Sequence, residues 1–277
     1  MAMGFGCNAA GVMGCRIIDS PRERLIAILT NSLVPCNGRF PTLILLISLA
    51  SLTAGGSAPG SFLAAAALTG LILLGILATL FSSLLLSRTV LRGVPSSFTL
   101  ELPPWRRPQA GKIILRSLAD RTLFVLTRAA AAAAPAGLLI WFLGNYAPDG
   151  LPLLSRLAAF LNPAGRFLGM DGMILTGFLL GFPAGEIVLP IIVMGYLQDG
   201  VLAEIAGAAP LAELFLAHGW SVQTVLCTAV FCLFHWPCFA TCLTIRRETG
   251  SLLWTLASVL LPLGIGCALC LLIRLIL

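Results

Sequence analysis

Two short interruptions in an otherwise apolar chain carry the side chains best suited to holding a metal ion: Gly4-Phe5-Gly6-Cys7-Asn8 and Gly181-Phe182-Pro183-Ala184-Gly185-Glu186. An unbroken membrane helix satisfies its own backbone. A Gly/Pro break frees amide and carbonyl groups where no lipid can bond them, so it is tolerated only against protein or a water-lined cavity. Breaks that recur at corresponding places in two halves, one with a thiol and one with a carboxylate, point to a midplane ion site in a transporter. Glu186 is the strongest single candidate, because a carboxylate within apolar sequence needs a cation, a proton or a partner. Cys7 offers sulfur and Asn8 a neutral oxygen. A mixed sulfur and oxygen set suits a transition ion such as Fe²⁺ better than Na⁺, Mg²⁺ or Ca²⁺, and leaves Zn²⁺, Co²⁺ and Mn²⁺ open.

Two more thiols directly follow proline. Pro35-Cys36 lies downstream of the first break and Pro237-Cys238 downstream of the second. This order, a break with a ligand and then Pro-Cys, is what an inverted repeat gives. Pro237 cannot donate to the carbonyl of Leu233, which predicts a kink near His235. On a helix continuous through that point Cys227, His235, Cys238 and Cys242 share one side, a second metal stop in which Cys238 ranks ahead of His235. A stripe of small residues kept for packing is the competing reading. The other thiols, Cys15, Cys232, Cys267 and Cys270, read as small buried hydrophobes. Nine cysteines, mostly in apolar segments, do not form a secreted disulfide framework.

The elements that must position these groups are membrane helices. Hydrophobic residues make up 58% of the 277 and charged residues 10%, so most of the chain needs lipid or other helices as neighbours. The net charge of +6 comes almost wholly from Arg, with Lys112 the only lysine. Such a balance reflects cytoplasmic loops and anionic headgroups, not nucleic acid. No basic segment precedes the first apolar stretch, so the start does not read as a signal peptide.

Asp19 or Ser20 before Pro21 and Glu23 signals a helix start, predicting an amphipathic helix from about 21 to 33. Pro41 opens a short apolar helix that fades at 55–60, and 61–86 forms a full span. Arg88, Arg92, Arg106, Arg107, Lys112 and Arg116 against Glu101 mark the loop after it as cytoplasmic. Lys112, Arg116 and Asp120 form a polar stripe on an interfacial helix within that loop, which feeds a span at 123–143. Residues 145–166 are expected outside, with Trp141, Tyr146 and Trp220 as interface anchors. Residues 171–180 and 187–197 are each too short to span and read as a broken helix or re-entrant hairpin. Spans at 220–245 and 252–275 follow, joined by cytoplasmic Arg246-Arg247-Glu248. The fold class is therefore all-α, a polytopic membrane protein with broken or re-entrant helices in an inverted-repeat arrangement.

Enzyme motifs are absent from the sequence. Ala110-Gly111-Lys112-Ile113 lacks the first glycine and the hydroxyl of a phosphate loop, and His218 and His235 lack zincin spacing.

Several motifs together resemble the membrane portion of the bacterial ferrous iron transporter family FeoB. They are Gly4-Phe5-Gly6-Cys7-Asn8, the run Cys15 to Arg24, Pro35-Cys36-Asn37-Gly38-Arg39-Phe40-Pro41, Gly181 to Val188, His235-Trp236-Pro237-Cys238 and Arg246 to Ser251. The resemblance covers nearly the whole chain. It implies ferrous iron as the transported ion, with no resident cofactor, and handling of that ion by Cys7 of a first gate repeat and Glu186 of a second. Cys36 and Cys238 match further thiol positions of the family pattern. On this reading 1–40 holds the end of the first gate and a cytoplasmic amphipathic helix. Residues 41–145 hold membrane helices with the basic loop at 88–122, and 146–277 hold the second gate and the last two membrane helices. The implied setting is the cytoplasmic membrane, and the implied partner an amino-terminal GTP-binding and membrane half that would hold any GTPase activity. A homo-oligomer is left open, as are two rival readings: a gate-repeat carrier of another divalent metal or a nucleoside, and a non-transporting scaffold.

Overall fold

The computed structural model describes residues 2–53, 61–93, 111, 124–148, 150–200, 202 and 208–277. Within them every regular element is helical, and four stretches are long and apolar enough to cross a membrane: Pro21–Ala50, Phe62–Arg88, Val222–Thr249 and Leu252–Ile276.

The first break separates α1 (Ala2–Gly6) from α2 (Asn8–Gly14). Then α3 (Pro21–Thr30) begins at the predicted signal, with Ser20 Oγ accepting the Glu23 amide at 3.4 Å and Pro21 opening the first turn. Short 3₁₀ turns at Asn31–Leu33 and Asn37–Arg39 flank the Pro35-Cys36 break before α4 (Phe40–Thr53). The long α5 (Ser61–Arg88) matches a predicted span, whereas α6 (Phe124–Asn145) forms a helix where a span was expected but is not among the four stretches above.

In the second half, α7 (Leu153–Phe167) occupies most of the segment expected outside. It packs closely on α8 (Gly172–Leu180), whose start is capped by Asp171 through the Ile174 amide at 2.7 Å. After the break at 181–187 come α9 (Val188–Leu197), α10 (Ala208–Ala217), α11 (Val222–Phe234), α12 (Phe239–Thr249) and α13 (Leu252–Ile276).

Burial sorts these helices into centre and rim. In the Val222–Thr249 stretch 72% of the most apolar 18 residues are buried, against 11% in Phe62–Arg88 and 22% in Leu252–Ile276. The rim helices expose rows of leucine and phenylalanine, among them Leu77, Phe81, Leu84 and Leu85 of α5 and Leu253, Leu256 and Leu260 of α13. Apolar surface on that scale belongs against lipid. One core runs through α4, α8, α9, α10 and α11, and a smaller cluster of Val12, Cys15, Ile28 and Ile245 seats α2 against α12. The Arg16–Glu248 ion pair at 2.6 Å closes the exposed end of that contact.

Three expectations are corrected. The 220–245 span is not a kinked continuous helix: it stops at Phe234 and restarts at Phe239, leaving His235 to Cys238 outside either helix. Cys227, Cys238 and Cys242 therefore do not line one continuous helical side. Fully buried Cys227 instead packs on α13, where its Sγ donates to the Cys270 carbonyl at 3.8 Å and Cys270 Sγ donates back at 3.4 Å. Trp220 is not an interface anchor either. The turn at Gly219 folds it inward, where it is 4% exposed, stacked on Phe215 at 4.2 Å and donating to the Tyr196 hydroxyl at 2.8 Å.

The interfacial helix around Lys112, Arg116 and Asp120, and Arg106 and Asp149, lie outside the described residues. Sidedness is tested by Arg247→Cys and Glu213→Cys in a background cleared of native cysteines. An impermeant thiol reagent applied outside intact cells is expected to label position 213 and spare position 247. External labelling at 247 would reverse the topology.

Candidate metal pathway at the helix breaks

Four interruptions carry the predicted ligands, and their backbones match in pairs. Cys7 has φ −154° and ψ 124°, and Ala184 has φ −150° and ψ 122°. Each is the extended residue that directly precedes the helical element after its break. Cys36 (φ −85°, ψ 166°) and Cys238 (φ −63°, ψ 160°) form the second pair, each just after proline. Extended backbone is usual just before a helix, and in the second half it falls on Ala184, two residues before Glu186.

Side chains join the breaks to one another. Buried Asn31 donates through Nδ2 to the Asn8 carbonyl at 2.9 Å, tying the first break to the end of α3. A Cβ on Gly11 would lie 2.5 Å from Asn31 Oδ1, so only glycine allows that approach. Glu186 reaches the second break: a Cβ on Gly38, two residues past Cys36, would lie 3.1 Å from Glu186 Oε1. The third and fourth breaks are bonded directly, the Phe239 amide donating to the Phe182 carbonyl at 2.9 Å with the two rings edge to face at 5.9 Å.

The fourth connection passes through a residue whose role sequence reasoning missed. Arg39 is 3% exposed, and its guanidinium donates to the carbonyls of Ser32 (3.4 Å), Leu233 (2.7 Å), His235 (3.2 Å) and Trp236 (3.1 Å). Leu233 is the residue whose carbonyl Pro237 cannot serve, so Arg39 supplies the donor that proline lacks. The only signal available was a charged residue set directly before an apolar helix, which as easily marks a membrane interface.

The ligand candidates differ in exposure. Cys7 and Glu186 are exposed, Cys36 and Cys238 half-buried, and Asn8 buried at 3%. Cys238 Sγ lies 3.2 Å from Thr241 Oγ1, and Cys242 donates to the Pro237 carbonyl at 3.5 Å. His235 Nδ1 lies 2.8 Å from the Cys232 carbonyl, which makes Nδ1 the protonated nitrogen and leaves the lone pair on Nε2. Among the described residues Glu186 has no hydrogen-bond or ion-pair partner. No three His, Cys, Asp or Glu side chains among them gather closely enough to hold one ion.

Three buried side-chain polar atoms among the described residues have no partner, and all three lie at or beside a break: Asn8 Oδ1, Ser32 Oγ and Trp236 Nε1. Leaving such an atom unpaired costs about 1–3 kcal/mol, so each marks a place where a polar partner is favoured. Asn8 Oδ1 accepts without donating and therefore fits a cation or the water around one.

Comparison with known proteins gives two family matches. Residues 68–120 match a family described as ferrous iron transport protein B C terminus, and residues 126–252 one described as nucleoside recognition, the gate family. A Fe(2+) transporter FeoB of Staphylococcus aureus is 27% identical over 95% of this chain and 38% of its own length. That of Methanocaldococcus jannaschii is 27% identical over 90% and 37%. An Fe(2+) transport protein A/FeoB fusion protein of Porphyromonas gingivalis is 26% identical over 94% and 35%. The chain thus spans little more than a third of the length of these relatives. No solved structure matches it.

Proposed function

We propose, from the premise that this chain belongs to the FeoB family and corresponds to its carboxy-terminal membrane part, that it forms the route by which ferrous iron crosses a bacterial cytoplasmic membrane. Cys7 and Glu186 are the first ligands the ion meets, Asn8 adds a neutral oxygen, and Cys36 and Cys238 hand it along the path. The observation that carries this reading is the joining of four breaks into one region, with Glu186 set against Gly38 without a partner and Asn8 Oδ1 orphaned within it.

Ferrous iron is the substrate, and sulfur with oxygen is a donor set of the right softness for it. Fe²⁺ needs no two-electron or acid-base chemistry from these residues. It needs ligands that replace part of its water shell and release it again, which several weak stops do better than one closed cage. Inward movement is favourable by about 2.3 kcal/mol per charge per 100 mV of membrane potential, hence about twice that for a divalent ion. The exposed positions of Cys7 and Glu186 suit a wall completed by other protein surface. An amino-terminal half with GTP-binding and further membrane helices is the partner we assign to that surface, and any GTPase activity to it. Another cargo is disfavoured, because the curated relatives that align along most of the chain are named for Fe(2+).

The reading is tested in cells lacking other iron importers. Supplied together with the amino-terminal half of a relative, the chain is expected to restore growth on limiting ferrous iron. Membrane-inserted chain that leaves growth at the level of the amino-terminal half alone would argue against it.

A further inference from the structure

Where a membrane helix is unwound, its freed carbonyls need a positive partner, and in many carriers a coupling ion such as Na⁺ fills that role. Here the carbonyls of Leu233, His235 and Trp236 at the fourth break, with that of Ser32 beside the second, converge on the guanidinium of Arg39. Arg39 makes no ion pair with a carboxylate among the described residues, so the four carbonyl dipoles are what neutralise it. The arrangement has the form of a cation site whose cation is covalently attached to the chain.

We propose that Arg39 is a built-in counter-cation: it takes the place that a coupling ion takes elsewhere, latches the Pro35-Cys36 break to the Pro237-Cys238 break, and so frees the carrier from any need for Na⁺. Three features support this over simple packing. The donors are aimed at backbone oxygens from two parts of the chain about two hundred residues apart. One of them meets the carbonyl that Pro237 leaves unserved, so the break cannot close on itself. Finally, a planar guanidinium with five donors can bridge two breaks at once, which a hydrated ammonium or a sodium ion does less well. Arg39 is thus a positioning residue. It touches no proposed ligand side chain, but it fixes the backbone on either side of Cys36 and just ahead of Cys238. Its role as substitute for a coupling ion rests on the transport reading, whereas the latch does not, and the test separates them.

The test uses the full chain with its native cysteines and follows maleimide labelling of Cys36 and Cys238 by peptide mass spectrometry in liposomes. In the wild type both thiols are expected to react slowly, at rates unchanged when Na⁺ replaces choline in the buffer. Arg39→Ala is expected to raise both rates at least about tenfold, because the reactive open state gains population when the latch is lost. Added guanidinium chloride, kept well below denaturing concentration, is expected to slow labelling again in Arg39→Ala and to leave the wild type unaffected. Arg39→Lys is expected to fall between the two. Wild-type labelling that depends on Na⁺ would overturn the counter-cation role. Arg39→Ala rates equal to wild type, or raised but indifferent to guanidinium, would overturn the latch. If Arg39→Ala does not accumulate, its recovery in cells grown with guanidinium supports the proposal. Failure to recover, while uncharged Arg39→Met accumulates with wild-type labelling, counts against it. None of these readouts requires iron movement, so loss of the transport reading would leave the latch result standing.

Discussion

Glu186→Gln is expected to reduce Fe²⁺ uptake by at least about a hundredfold while leaving membrane insertion intact, since loss of a ligand exceeds the 10–100-fold that outer-shell partners typically command. The amide keeps the shape of the side chain and removes only its charge. Because Glu186 is exposed and without a partner among the described residues, no fold-holding bond is lost with that charge. The approach to Gly38 is also kept, so the second and third breaks stay in contact. A defect in Glu186→Gln therefore reads out the carboxylate's interaction with the ion. Radioiron uptake near the wild-type rate, in cells lacking other importers and supplied with the amino-terminal half, would remove Glu186 from the path.

Cys7→Ser is expected to produce a different defect. Serine fits the extended backbone at φ −154° as well as cysteine does, and the Cys7 amide and carbonyl, bonded to Met3 and Gly11, are untouched. What is lost is the one soft donor of the first break. The concentration of Fe²⁺ for half-maximal uptake should rise at least about tenfold, and the preference for Fe²⁺ over the harder Mn²⁺ should shrink. Competition between the two ions in the same uptake assay measures both. An unchanged half-maximal concentration together with an unchanged preference would mean that iron passes without touching this sulfur.

The helices were legible because apolar runs of full length, the Ser20-Pro21-Glu23 start and the Gly/Pro breaks act locally, within one or two turns of the residues that cause them. Pro237 was read as disturbing the bond to Leu233, and that much is physically sound. Whether a proline kinks a helix or ends it depends on what else can serve the freed carbonyl, and here the answer is Arg39, far away in sequence. The same limit hid Asn31, whose amide matters only because α3 brings it to Asn8. Trp220 was misplaced because an indole before a polar helix start looks alike at a membrane surface and folded against Phe215 and Tyr196. That Cys7 and Glu186 sit at breaks was readable from the glycines and proline beside them; that Glu186 reaches Gly38 was not, because the two lie far apart in sequence.

The breaks also explain how these thiol-bearing segments can be held without disulfides. All nine cysteines are free, and those outside the breaks are packed against carbonyls or apolar neighbours, as Cys15 Sγ is against the Gly11 carbonyl at 3.3 Å. Rigidity comes instead from side-chain donors, Asn31 and Arg39, that serve backbone groups freed by glycine and proline. Each such group left unserved in a membrane costs several kcal/mol, enough to make the joined breaks a defined structure.

The central claim is that ferrous iron passes through these joined breaks, and flux into liposomes tests it most directly. The chain, reconstituted anaerobically with the amino-terminal half of a relative and an internal Fe²⁺-sensitive dye, is expected to give saturable inward Fe²⁺ flux that accelerates with an inside-negative potential and falls to the level of empty liposomes in Glu186→Gln. Flux in Glu186→Gln equal to that of the wild type, or wild-type flux no greater than through protein-free liposomes, would contradict it.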